Sequence, residues 1–151
     1  MAKVAPDLSK RVSEALVLGL ECFGDGDSTP FVILIAASES RLIELHSADG
    51  TIGEALLTGG RDIIRQFVNE GTCYMLVWDG YLTAVGKREE AAFAEAGEAG
   101  VARAQVFAQR YRRTETGKTV GVGKPLVVAE ADHLWPQVRN AEPGTVADGG
   151  G

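Results

Sequence analysis

Cys73-Tyr74-Met75-Leu76-Val77-Trp78 is continuously apolar, and the run carries on through Tyr81-Leu82-Thr83-Ala84-Val85. Aromatic and β-branched residues of this kind suit a pleated, buried surface, so the stretch reads as a central strand. Gly86-Lys87-Arg88 supplies a turn, and Ala91-Ala92-Phe93-Ala94-Glu95-Ala96 follows it. A second turn at Gly97-Glu98-Ala99-Gly100 then leads into residues 101–112. Short glycine-containing connections require antiparallel neighbours, so residues 73–113 read as three consecutive antiparallel strands. The alanines of the middle segment favour helix by propensity, but Gly97 and Gly100 leave too little room for one.

Side chains alternate across a strand, which sorts the three strands into two sets. Tyr74, Leu76, Trp78, Leu82, Ala91, Phe93, Ala104, Val106 and Ala108 fall on one face. They are apolar, and their small alanines allow close approach by helices, so this face is expected to be the core. Asp79, Tyr81, Thr83, Arg103, Gln105, Phe107, Gln109 and Tyr111 fall on the other. Aromatic rings mixed with polar groups are what a docking surface presents. An ordinary half-solvated sheet face, or one packed on the chain's own tail, accounts for the same residues.

Working outward, Pro6-Asp7 opens a predicted helix to Phe23, with Leu8, Val12, Leu16, Leu20 and Phe23 on one stripe and Gly24 as its stop. Pro30 introduces an apolar strand through Ala36. Residues 41–46 alternate like its hairpin partner across Ser38-Glu39-Ser40. A second helical region spans residues 51–70 on the stripe Ile52, Leu56, Ile63, Phe67 and Val68. Gly59-Gly60 in its middle predicts either two short helices or one kinked one. Residues 119–128 read as a last strand, which Pro125 confines to a sheet edge or interrupts, because proline cannot donate a ladder hydrogen bond. Leu134 and Trp135 are expected to pack onto the fold. Residues 1–138 form one domain on this reading, and residues 139–151 a flexible tail.

Composition narrows the function classes. The 151 residues are 45% hydrophobic and 24% charged, which fits one ordinary globular domain with a real core. A net charge of −6 argues against nucleic acid, whose phosphates need basic surface to replace counterions. No apolar run approaches the roughly 20 residues of a membrane-spanning helix, and the N-terminus lacks the apolar core of a signal peptide. The expectation is a cytoplasmic protein. Cys22 and Cys73 form neither a CxxC pair nor a disulfide framework, so both read as reduced thiols.

Few reactive constellations survive inspection. Gly117-Lys118-Thr119 ends like a phosphate loop, but Arg112 stands where that loop needs a glycine, and a strand follows where a helix should begin. Asp25-Gly26-Asp27 opens like a calcium loop without the glycine and glutamate that complete one. There is no GxSxG, no HExxH and no paired Cys/His spacing. His46, without a companion cluster, reads as a structural hydrogen-bonding residue. Arg110, Arg112, Arg113, Lys118 and Lys124 read equally as a charged edge or as a surface for an acidic partner. Gly149-Gly150-Gly151 has the form of a modifier tail and equally of any unstructured end.

The sequence therefore predicts no catalytic residues, no metal and no cofactor. Asp79, Tyr81, Glu95, Phe107, Gln109 and Tyr111 are the candidate ligand- or partner-binding residues. The fold class is an α+β two-layer sandwich in the order α-β-β-α-β-β-β-β, with an antiparallel sheet of about five to six strands and helices on one face. That order is similar to profilin-like and roadblock-type domains, and the resemblance implies a sheet that dimerises. The favoured function is a non-enzymatic module that binds a protein partner, or a second copy as a homodimer, through an exposed sheet face. The alternative is a small enzyme or ligand sensor with Asp79, Glu95 and Gln109 at its site and His46 as acid or base.

Overall fold

The computed structural model describes residues 6–24, 28–36, 39–47, 53–67, 72–84 and 86–135. The acidic loop at 25–27, the outer ends 51–52 and 68–70 of the expected second helix, Val85, and the tail from residue 139 with its three glycines lie outside the described residues.

The elements are α1 (Pro6–Gly24), β1 (Phe31–Ile35), β2 (Ser40–Glu44), α2 (Glu54–Gln66), β3 (Cys73–Ala84), β4 (Lys87–Glu98), β5 (Arg103–Arg113), β6 (Thr119–Gly121) and β7 (Leu126–Asp132). The α+β class and the run of elements are those read from the sequence. All seven strands join one antiparallel sheet in the order β2-β1-β3-β4-β5, with β6 and β7 both paired to the outer side of β5. The expected last strand is thus both interrupted and at an edge. Gly123, at φ 73°, sits in the break with Pro125, where a left-handed backbone suits glycine.

The helices lie on opposite faces of the sheet, which corrects the two-layer expectation. Leu8, Val12, Leu16, Leu20 and Phe23 of α1 pack on Cys73, Met75 and Val77 and on Ala92, Ala94 and Ala96. Each large aliphatic in that stripe contributes about 2 kcal/mol through burial. Ile64, Leu56, Leu57, Ile63 and Phe67, on or just after α2, pack on Tyr74, Leu76 and Trp78. Alternation puts those two β3 sets on opposite sides. A strand that is apolar at every position is one covered on both sides, and residues 73–77 are all buried.

α1 consequently covers the face that reads as a docking surface. Gln105, Phe107, Gln109 and Tyr111 are buried beneath or beside it. The end of α1 is tied to the sheet, because Thr119 Oγ1 donates to the Leu20 carbonyl at 2.6 Å and Arg113 Nη1 to the Phe23 carbonyl at 3.2 Å. The Phe23 carbonyl is one of the last four of the helix, which have no partner inside it, and Leu20 O accepts a further bond on the sheet side.

α2 runs unbroken through Gly59-Gly60. A Cβ on Gly60 would meet Leu45 Cδ1 at 2.8 Å and Leu76 Cδ1 at 3.0 Å, so the missing side chain sets how closely the helix approaches. Close packing there offsets the helix propensity that glycine forfeits, about 1 kcal/mol. Beyond β7, Leu134 and Trp135 return over the α2 face as expected, where the Trp135 ring meets Tyr74 edge-on at 5.0 Å.

Candidate functional site

Asp79 and Tyr111 meet. The Tyr111 hydroxyl donates to Asp79 Oδ1 at 2.7 Å, lies 3.3 Å from Glu90 Oε1, and Ser28 Oγ donates to Asp79 Oδ2 at 3.2 Å. Burial first, then this carboxylate neighbour, pushes the Tyr111 phenol well above its ordinary range, so it stays a neutral donor. Both donors to Asp79 are neutral, which leaves the carboxylate charge uncompensated by them.

The other sequence candidates lie apart from this pair. Glu95 projects from the opposite face, where one of its oxygens accepts from Arg61 Nε at 3.1 Å and Nη2 at 2.9 Å. Arg103, on the other face, bridges Asp132 at 3.1 Å. Gln109 Nε2 lies within 3.3 Å of the carbonyls of Arg110, Val122 and Gly123, clipping the break between β6 and β7 to β5. Phe107 belongs to the core under α1. His46 lies at the end of β2, exposed, 3.3 Å from Glu44. Asp79, Glu95, Gln109 and His46 therefore do not share one site. Tyr81 is 56% exposed, and the Arg88 guanidinium lies 4.0 Å from its ring centroid.

A cleft of about 310 Å3 opens beside Asp79 and Tyr81. Its position follows from a mismatch of strand lengths. β1 has five residues and stops at Phe31, opposite Val77, while β3 has twelve and continues to Ala84. Residues 78–84 therefore have β4 on one side and no described strand on the other, where Ser28 and Pro30 reach only the first of them. The cleft wraps that open edge.

On the α2 side its wall is apolar, formed by Pro30, Leu57, Trp78 and Phe93. Trp78 and Phe93 are cross-strand partners whose rings stack 5.5 Å apart at 10°. Gly80 leaves the neighbouring strand surface bare, so the Phe93 ring extends beneath it. Glu54 and Asp79 bring two carboxylates, and no lysine or arginine lines the cleft. Glu54 is 82% exposed and 3.7 Å from Arg61, a cation already committed to Glu95.

Trp78, Phe93 and Glu54 were not among the candidates. The first two read as core by alternation, and Glu54 reaches the cleft only because α2 docks with its first turn there. Among the described residues, no three His, Cys, Asp or Glu side chains are grouped to hold a metal ion, and no helix is long and apolar enough to cross a membrane. No protein-family model matches this chain, no curated protein matches it, and no solved structure matches it.

Proposed function

We propose that this domain is a non-enzymatic interaction module that pairs with a second copy of itself along β7. The observation carrying this reading is the run Leu126, Val127 and Val128, which is 49%, 43% and 39% exposed on a strand with no described neighbour on its outer side. An edge strand with exposed aliphatic side chains is a template for another chain.

The charges favour a copy of the same strand. Lys124 precedes the apolar run, and Glu130 and Asp132 follow it, two carboxylates that share the single cation of Arg103 at 3.7 and 3.1 Å. Antiparallel association about a two-fold axis sets each basic end against the other copy's acidic end, whereas parallel association sets like against like. Pro125 and an extra residue at Val128, which interrupts the register between Val127 and Ala129, shorten the backbone ladder. Side-chain contact between the two aliphatic runs therefore supplies most of the association. Cys22 and Cys73 are not joined in a disulfide, which fits a cytoplasmic setting as part of the same proposal. The competing ligand-sensor reading has less support, because Asp79, Glu95 and Gln109 are each committed to different partners.

Native mass spectrometry and light scattering over a range of concentrations test the proposal. The wild type is expected at dimer mass, and Val127→Lys at monomer mass with an unchanged circular dichroism spectrum. A wild type that stays monomeric at every concentration overturns it. A dimer that survives both Val127→Lys and Leu126→Glu moves the interface elsewhere and overturns the assignment to β7.

A further inference from the structure

We infer that the cleft at the open edge of β3 takes an extended, arginine- or lysine-bearing segment of a partner protein as an added strand. β7 lies on the far side of β5, so this is a second surface, independent of self-association.

Backbone geometry comes first. Residues 78–84 span about 20 Å at roughly 3.3 Å per residue, enough to pair with a segment of about six residues. No described strand pairs with the outer side of this stretch. Adding a strand satisfies the outward N–H and C=O groups in the way an exposed edge is used for peptide recognition.

Side-chain chemistry sets the class of partner. A segment laid along the edge points alternate side chains to the two sides of the sheet. Those on the α2 side meet the stacked rings of Trp78 and Phe93 with the Glu54 carboxylate at the rim. An aromatic surface beside a carboxylate fits a long side chain with an apolar stem and a cationic head. Those on the other side meet Asp79, whose two hydrogen-bond donors are neutral, and the edge of Tyr81, whose ring face already carries the Arg88 guanidinium at 4.0 Å. With two carboxylates, no basic residue in the lining, and a chain charge of −6, an acidic segment is repelled.

Fluorescence anisotropy tests this with a labelled peptide of about ten residues alternating Arg and Thr. Two control peptides accompany it, one alternating Glu and Thr, the other the Arg-Thr peptide N-methylated at every second residue. The Arg-Thr peptide is expected to bind at low salt, with affinity falling as salt rises. The Glu-Thr peptide is expected not to bind. N-methylation, which removes the donors a strand needs while keeping every charge, is expected to weaken binding by about tenfold or more.

Glu54→Gln, on an exposed side chain that leaves the fold intact, is expected to weaken binding several-fold. Absence of binding by the Arg-Thr peptide overturns the inference. Equal binding of the N-methylated peptide also overturns it, because attraction would then be by charge without strand addition. Unchanged affinity for both Glu54→Gln and Tyr81→Ala places the peptide elsewhere and overturns it as well.

Discussion

The Tyr74 ring lies across Gly97, its antiparallel partner in the next strand. A Cβ on Gly97 would collide with the hydroxyl-bearing edge of that ring, and the ring has nowhere to go. His133 and Trp135 meet it edge-on at 5.4 and 5.0 Å, and the Leu134 N–H donates to its hydroxyl at 2.9 Å. The glycine therefore provides the space in which the chain after β7 returns to the sheet.

Gly97→Ala is expected to cost about 3 kcal/mol, since the added methyl must displace a fully buried aromatic. Urea unfolding measures it. A loss of less than about 0.5 kcal/mol would mean that the ring relocates freely.

Arg61 and Glu95 join α2 to the middle of β4, with the Glu95 side chain 3% exposed and Arg61 26% exposed. Arg61→Met leaves a buried carboxylate without its cation and is expected to cost about 3 kcal/mol. The double variant Arg61→Met, Glu95→Leu is expected to recover most of that, because no charge is left behind. A double-mutant cycle by chemical denaturation distinguishes this from two independent packing losses, which would add.

Cys73 is fully buried, and burial pushes its thiol up to about 11 from an ordinary 9.0, against the opposing pull of the Arg11 guanidinium. The folded state holds the proton more tightly than the unfolded state, so this contribution is complete below about pH 9 and is lost as pH rises toward 11. Burial raises the Tyr74 phenol too, which acts in the same direction. Stability is expected to fall across this alkaline window, by an amount on the order of 2 kcal/mol from Cys73. Cys73→Ser or Cys73→Ala should flatten the profile. In the native protein at neutral pH a thiol reagent is expected to modify Cys22, which is half-buried, well before Cys73.

Tyr111→Phe removes the hydroxyl that donates to Asp79 at 2.7 Å while keeping the ring under α1. A hydrogen bond to a carboxylate contributes about 2 kcal/mol, so thermal unfolding should show a loss of that order. Adding Asp79→Asn to Tyr111→Phe should cost less than the two separate losses combined, because both sever one contact.

Much of the architecture was legible in the sequence because it rests on local rules. Continuous apolarity at 73–78, alternation at 41–46, glycine-bearing turns and the stripe from Leu8 to Phe23 each report a period or a stop that neighbouring residues impose on one another. The α1 stripe and the sorting of the β3, β4 and β5 residues into two faces appear in the structure as read, while the strands pair a few residues away from the turns the sequence suggests. Pro125 likewise announced an edge or an interruption, since a missing N–H has the same consequence in any sheet.

The division of the helices between two faces is also written at Cys73 to Val77, where both alternate sets are apolar, but the glutamines that β5 carries on the α1 side give that face the pattern of a solvated one. Gln105 and Gln109 are polar yet buried, and at Gln109 the carbonyls that make this possible lie 13 and 14 residues further along the chain. Glu95 likewise becomes a structural residue through Arg61, 34 positions away. What the sequence determined is which segments become helix or strand and which residues share a face, because those follow from backbone geometry. Which faces are covered, which polar groups are spent on one another, and where β3 outruns β1 to leave an open edge depend on contacts between distant segments. Only the tertiary structure decided these, because no local period encodes the partner.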